Sequence, residues 1–124
     1  MKKKILIVDD DKLVLRSVQQ VLERANYEVI CVSNAQEAIE KVSQNNFHLI
    51  LSDIRMPHED GFEVVRKVRE YLNSQKLTEI PVIFITGYAS DNAPIDAIKI
   101  GAKDYLLKPF DLDELIKSVR QHIL

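Results

Sequence analysis

The stretch Ile5-Leu6-Ile7-Val8-Asp9-Asp10-Asp11 decides the fold of this chain, because a short apolar run passes directly into three acidic residues. Apolar runs of this length without alternation are typical of strands that are buried on both faces of a parallel sheet. In such sheets the ligand crevice lies outside the carboxyl ends of the strands. We therefore expect these aspartates to stand at the edge of a sheet where ligands bind.

Three further apolar runs end on a polar residue in the same way, at Asp53, Thr86 and Lys108. Neighbouring strands lie ~4.8 Å apart, so residues just past their ends can reach one common site. If the first and third strands are neighbours, Asp9 and Asp10 meet Asp53. One edge of one sheet would then gather carboxylates, a hydroxyl and an ammonium, a set that suits a divalent cation and a phosphoryl group.

Amphipathic stretches separate the apolar runs, and the strand–helix pattern recurs five times. It predicts one α/β domain over residues 1–124, with an all-parallel sheet covered by helices on both faces. Polar residues mark the predicted helix ends. Ser33-Asn34 and Asp111 are expected to cap helix starts, Asn26 to end the first helix in the left-handed conformation, and residues 91–100 to form a short helix before Gly101. Leu112 is expected to face the core.

Composition excludes several classes of protein. The 124 residues are 46% hydrophobic and 29% charged, the balance of a soluble globular protein, and the net charge of -2 gives no general attraction to nucleic acid. No apolar stretch approaches the ~20 residues that span a bilayer, and we expect a cytoplasmic location. Three well-separated glycines exclude a glycine-rich phosphate loop. The single cysteine, Cys31, allows no intrachain disulfide and is expected to be buried.

The clustered carboxylates predict a metal site. Such groups repel one another unless a cation lies between them, and Mg²⁺ takes six oxygen ligands at ~2.0–2.1 Å. The simpler interpretation is that residues 9–11 cap the next helix, where negative charge is favourable. One cap needs only one carboxylate, which leaves two more and Asp53. Thr86 and Lys108 offer an anion a hydroxyl donor and a positive charge, and Pro109 is a candidate cis-proline because cis costs only ~0.5–1 kcal/mol there.

Taken together, these motifs resemble the receiver domain of the response regulators of two-component signalling, over essentially the whole chain. Each motif is short, but their order at the strand ends is specific. They are Ile7-Val8-Asp9-Asp10-Asp11, Asp53-Ile54-Arg55-Met56-Pro57 with Asp60-Gly61, Ile85-Thr86-Gly87-Tyr88, Gly101-Ala102-Lys103-Asp104-Tyr105 and Lys108-Pro109-Phe110.

The resemblance implies a flavodoxin-like (βα)5 domain with strand order 2-1-3-4-5. It implies that Asp53 accepts a phosphoryl group from a kinase phosphohistidine, and that Thr86 and Lys108 hold the phosphoryl oxygens. Mg²⁺, for which Mn²⁺ could substitute, would bind the carboxylates of Asp10 and Asp53 and the backbone carbonyl of Arg55, while Asp9 acts mostly through water. Such a chain is a phosphoacceptor that assists its own phosphorylation and dephosphorylation rather than an enzyme.

The resemblance also implies a switch and two kinds of partner. Thr86 would move toward the phosphoryl group and Tyr105 would turn into the vacated space, changing the surface of the fourth helix, fifth strand and fifth helix, where Ile98 offers apolar contact. The implied partners are a sensor histidine kinase or phosphotransfer protein and a downstream effector protein or domain. We expect no direct binding to nucleic acid or membrane, and a monomer or a phosphorylation-dependent dimer.

Two alternatives use the same residues. Asp9-Asp10-Asp11 contains the Asp-x-Asp of the haloacid dehalogenase type of aspartyl phosphatase, with Asp9 as nucleophile. Leu13 stands where that motif has Thr or Val, and the chain lacks room for a substrate-binding cap. The other alternative is an interaction module that works without phosphorylation, against which the intact set of Asp10, Asp53, Thr86 and Lys108 argues.

Overall fold

The computed structural model of the protein describes residues 2–87 and 93–124, with the backbone alone at 93–95. Within these ranges five strands alternate with five helices, and the predicted strand–helix pattern is confirmed. The strands are β1 Lys4–Val8, β2 Glu28–Val32, β3 Leu49–Asp53, β4 Val82–Thr86 and β5 Asp104–Leu107; the helices are α1 Lys12–Arg24, α2 Ala35–Gln44, α3 Gly61–Ser74, α4 Ala93–Lys99 and α5 Leu112–His122.

The strands form one parallel sheet in the order β2-β1-β3-β4-β5, which confirms the order implied by the resemblance. Val8 of β1 lies opposite Ser52 of β3, so the next residues, Asp9 and Asp53, stand level at the carboxyl edge. On the other side Thr86 of β4 extends one position beyond Asp53. The register of the sheet is therefore what aligns the polar residues at the strand ends.

Alternate residues of each strand enter two separate apolar layers. Ile5 and Ile7 of β1 pack with residues of α1 and α5, whereas Leu6 and Val8 pack with residues of α2, α3 and α4. All four side chains are fully buried, and each such burial contributes about 1.5–3 kcal/mol. The sheet is thus covered on both faces, as the apolar runs predicted.

Several helix ends form as the sequence predicts. The Asp11 carboxylate accepts hydrogen bonds from the backbone nitrogens of Leu13 and Val14 at the start of α1, at 3.0 and 3.4 Å. Asn34 caps α2 through the backbone nitrogen of Glu37 at 2.8 Å. Asn26 follows α1 with a φ of 74°, the left-handed conformation expected of it.

Two expectations for α5 are wrong. Asp111 stands at the N-cap position, but its side chain makes no capping hydrogen bond, and acidic residues within the first turn supply the favourable negative charge instead. Leu112 is 51% exposed rather than buried. Helices that follow a strand begin at the carboxyl edge of the sheet, so Leu112 lies one turn beyond the core layer that Leu115 enters.

Cys31 is half-buried rather than buried, because β2 is an edge strand with only one neighbour. The Cys31 Sγ donates to Oε1 of Gln19 at 3.5 Å, and burial raises the pKa of the thiol. The short helix predicted over residues 91–100 is α4, Ala93–Lys99, but its predicted start at Asp91 lies outside the described residues. Among the helices described, none has the length and apolar character needed to cross a bilayer.

Candidate functional site

Three carboxylates meet at the carboxyl edge of the sheet. Asp9 and Asp10 follow β1 and Asp53 ends β3, and each offers an oxygen within 4.8 Å of the others. Asp9 and Asp53 are 0% and 6% exposed, whereas Asp10 is open to solvent. Two of the three charges therefore lie where water does not compensate their repulsion.

Lys108 directly follows β5, the edge strand two positions from β3, and its side chain reaches the same point. Its Nζ lies 3.1 Å from Oδ2 of Asp9 and 3.7 Å from Oδ2 of Asp53. The Lys108–Pro109 peptide bond is cis. A Cβ at Gly87 would lie 3.7 Å from the Lys108 Cβ, an ordinary contact, so Gly87 borders the lysine without obstructing it. Three carboxylates and one ammonium leave two negative charges in this cluster when all are ionised.

The Asp53 carboxylate is fixed by its own backbone and disfavoured as an anion. The backbone nitrogen of Ile54 donates to its Oδ1 at 2.8 Å, and the Ser52 hydroxyl donates to the Asp53 carbonyl oxygen at 2.9 Å. Burial, followed by the negative charge of Asp9, raises the pKa of Asp53 to about 6, and Lys108 and the Ile54 N–H only partly oppose this. The negative charge of the carboxylates therefore exceeds the positive charge that Lys108 supplies.

The three consecutive aspartates have different environments. Asp9 accepts a hydrogen bond from the Asp11 backbone nitrogen at 3.0 Å, in addition to its contact with Lys108. The Asp11 carboxylate is occupied in capping α1. Asp10 lies open beside both. A cap thus accounts for Asp11 alone, and the oxygen donors that remain, with an excess of two negative charges, fit a divalent cation of the hard, oxygen-seeking kind.

Thr86 and Tyr105 lie on one face of the sheet. Thr86, 1% exposed, ends β4, and its carbonyl oxygen accepts from the Lys108 backbone nitrogen at 2.7 Å. Tyr105 pairs with Phe84, two residues before Thr86, and paired residues of parallel strands share a face. Among the described residues the buried Tyr105 hydroxyl has no hydrogen-bond partner, and burial raises the pKa of Tyr105.

Arg55 is the second residue of the loop after β3, and its side chain is exposed. Tyr88 lies outside the described residues. A position whose importance the sequence did not reveal is Gly61, the first residue of α3. Its nitrogen donates to the Ile54 carbonyl oxygen at 2.7 Å, and a Cβ there would overlap the Asp53 carbonyl oxygen. A glycine directly before a helical pattern is the available signal for such a close approach.

Comparison with known families fits this geometry. Residues 5–120 match the family described as the response regulator receiver domain. This range contains the acidic cluster, Thr86 and Lys108. The chain belongs to the response regulator receiver family. The match gives no support to the aspartyl phosphatase alternative.

Curated relatives of this receiver are transcriptional regulators. It is 41% identical to the transcriptional regulatory protein CrdR of Helicobacter pylori, over 98% of this chain and 55% of that protein. It is 40% identical to the transcriptional regulatory protein ZraR of Klebsiella oxytoca, over 90% of this chain and 24% of that protein. The receiver thus spans about half, or less, of the length of these relatives.

Solved structures share its fold. A CheY-like receiver domain protein of Methanospirillum hungatei is 33% identical, with a TM-score of 0.85 over 98% of this chain and 93% of that one. The chemotaxis protein CheY4 of Vibrio cholerae is 28% identical, with a TM-score of 0.87 over 99% and 100%. A Burkholderia pseudomallei response regulator, solved with a phosphorylated aspartic acid and a calcium ion, is 25% identical, with a TM-score of 0.81 over 94% and 66%. The fold is the CheY-like flavodoxin fold.

Proposed function

We propose that residues 1–124 form one receiver domain that accepts a phosphoryl group on Asp53 from a phosphohistidine of a sensor histidine kinase or phosphotransfer protein. The observation that carries the proposal is the meeting of Asp9, Asp10 and Asp53 within 4.8 Å, with the Lys108 ammonium between two of them. The family match and the phosphorylated aspartic acid in the related Burkholderia structure support it.

In the proposed reaction a carboxylate oxygen of Asp53 forms a bond to phosphorus as the bond between phosphorus and the donor imidazole nitrogen breaks. The hydrogen bond from the Ile54 nitrogen to Oδ1 leaves Oδ2, on the Lys108 side, as the attacking oxygen. Lys108 and the Thr86 hydroxyl then hold the phosphoryl oxygens. Phosphoryl transfer asks little of a protein beyond such positioning and charge neutralisation.

The residues of the cluster fit Mg²⁺, and Mn²⁺ is an alternative occupant. We propose that Asp10, Asp53 and the Arg55 backbone carbonyl hold the ion, with Asp9 acting mostly through water. When bound, the ion neutralises carboxylate and phosphoryl charge. The two unbalanced negative charges of the cluster and the raised pKa of Asp53 support this assignment, because both are relieved by a divalent cation.

We propose that phosphorylation is read out through Thr86 and Tyr105. The Tyr105 hydroxyl is buried without a described partner, so a turn of its side chain would break no described hydrogen bond. The surface of α4, β5 and α5 would change with it and meet an effector protein or domain, where Ile98 is 76% exposed. The receiver itself would act as a phosphoacceptor, without binding nucleic acid or membrane, as a monomer or a phosphorylation-dependent dimer.

Intact-mass spectrometry tests the proposal. Acetyl phosphate with Mg²⁺ is expected to add one phosphate to the protein, and chelation of Mg²⁺ is expected to suppress the addition. Asp53→Asn is expected to abolish it, because the attacking oxygen is lost. Asp113→Asn, which changes an exposed carboxylate in the first turn of α5, is the matched control and is expected to be labelled like the unaltered protein.

The same measurement separates the alternatives. Asp9→Asn is expected to retain some labelling, because Asp9 contributes charge rather than the accepting oxygen. Labelling that persists in Asp53→Asn and disappears in Asp9→Asn would contradict the proposal and favour the phosphatase with Asp9 as nucleophile.

A further inference from the structure

The loop between β3 and α3 carries the Arg55 carbonyl that the proposed metal site requires. Its ends are closed by the hydrogen bond from the Gly61 nitrogen to the Ile54 carbonyl oxygen at 2.7 Å. Asp60 secures the helical end by accepting from the Glu63 nitrogen at 2.9 Å. These contacts fix where the loop starts and stops, but they do not fix how its middle lies against the neighbouring elements.

Glu59 supplies that remaining connection. Its Oε1 accepts from the Ala35 backbone nitrogen at the start of α2 at 2.7 Å, and its Oε2 accepts from the Lys67 Nζ of α3 at 2.9 Å. The hydrogen bond from Lys67 lowers the pKa of Glu59, with a further contribution from the Ala35 N–H. Both carboxylate oxygens are engaged, and the side chain is only 19% exposed. One side chain therefore joins the loop to two helices.

The connection lies beside the acidic cluster. A cleft of about 410 Å³ opens from Asp9 and Asp10, and Glu59 and Met56 line one wall of it while Asn34 lines another. Glu59 accepts a hydrogen bond from the nitrogen of Ala35, the neighbour of Asn34, and so links the two walls of the cleft. Glu59 stands four positions after Arg55 in this loop, with three residues between them.

We propose that Glu59 is a positioning residue for the magnesium site, which holds the β3–α3 loop so that the Arg55 carbonyl faces Asp10 and Asp53. The inference rests on the proposed function. Groups that orient a direct metal ligand typically change metal affinity ~10–100-fold when they are lost. Glu59 acts through a short length of backbone, so an effect no larger than the lower end of this range is expected.

The test is isothermal titration calorimetry of the full chain with Mg²⁺. The dissociation constant is expected to rise ~3-fold in Glu59→Gln, which keeps an acceptor for Ala35, and ~10-fold in Glu59→Ala, which keeps none. Lys67→Arg retains a cation and is expected to stay within ~2-fold of the unaltered protein. The matched control is Glu63→Gln, the same change four residues on, where Glu63 pairs with Arg66 on the exposed face of α3. It is expected to leave the affinity unchanged.

A second readout separates positioning from a loss of fold. The rate of labelling by acetyl phosphate in Glu59→Ala is expected to recover at saturating Mg²⁺, since only the affinity for the ion is reduced. A rate that stays low at saturation, or Mg²⁺ affinities of both Glu59 variants equal to that of Glu63→Gln, would overturn the inference. Failure of the unaltered protein to bind Mg²⁺ would instead overturn the proposed function.

Discussion

The carboxyl edge of the sheet and the outer face of α3 use the same kinds of charged residue with opposite consequences. At the edge, Asp9 and Asp53 are buried, and Lys108 is the only cation that the described contacts show between them. On α3, Arg66 pairs with Glu63 and Glu70 at 2.8 and 2.5 Å, with all three side chains about half exposed or more. Buried, unbalanced charge destabilises a fold, whereas exposed pairs change its stability little. The charges at the edge therefore lower the stability of the fold, whereas those on α3 leave it nearly unchanged.

The largest effect on this comparison is expected from Gly61→Ala, which disturbs the backbone that supports the buried edge. The added Cβ would overlap the Asp53 carbonyl oxygen, so α3 or β3 must shift. We expect a loss of about 2–3 kcal/mol in unfolding free energy, measured by urea denaturation. Gly87→Ala is the matched control, because among the described residues the nearest atom to its added Cβ would lie at 3.7 Å. Equal stability losses in the two variants would show that the close approach of Gly61 to the Asp53 carbonyl oxygen does not determine the stability of the fold.

The next effect concerns the buried charge itself. Without Mg²⁺, Asp53→Asn is expected to raise the unfolding free energy at neutral pH by about 1–2 kcal/mol, less than the roughly 1.4 kcal/mol per pKa unit of the shift would give, because solvent screens part of the charge. The pKa of Asp53 is raised from 3.8 to about 6 in the folded protein. Between these values the folded state binds more protons than the unfolded chain, so stability contributed by this group falls as the pH rises.

Denaturation in a chelator across this pH range measures how the unfolding free energy of the unaltered protein changes with pH. Asp53→Asn is expected to lack the part of this change that Asp53 contributes. Millimolar Mg²⁺ is expected to raise the melting temperature of the unaltered protein more than Na⁺ at matched ionic strength, because an ion held by the folded site alone stabilises the folded state. If the unfolding free energies of the two proteins depend on pH in the same way, and Mg²⁺ stabilises the unaltered protein no more than Na⁺, the carboxylates at the edge do not repel one another measurably.

The smallest effect is expected on the outer face of α3. Arg66→Gln removes both ion pairs, yet the side chains are exposed and screened by salt, so the melting temperature is expected to fall by at most ~2 °C. The difference is expected to shrink further in 1 M NaCl. A loss comparable to that of Gly61→Ala in differential scanning calorimetry would remove the contrast between the two regions.

The sequence predicts the fold and the meeting of Asp9, Asp10 and Asp53 because both depend on strand order and register, which apolar runs and strand ends encode locally. It also locates the caps at Asn34 and the left-handed Asn26, where the residue type alone is informative. The roles of Gly61 and Glu59 are not predicted, because each depends on how closely a loop approaches a distant element. The exposure of Leu112 is mispredicted for a related reason: helical spacing gives the face of a residue but not how far the core extends beneath it.

The contact of Lys108 with Asp9 joins residues 99 positions apart. Contacts of such sequence separation form late, since the chain between them must first be ordered. During synthesis, a chain of which only the first four strand–helix units have emerged from the ribosome already carries the carboxylates of the cluster. It does not yet carry the Lys108 ammonium. The phosphoryl-accepting site proposed above is therefore complete only once the fifth unit has been made.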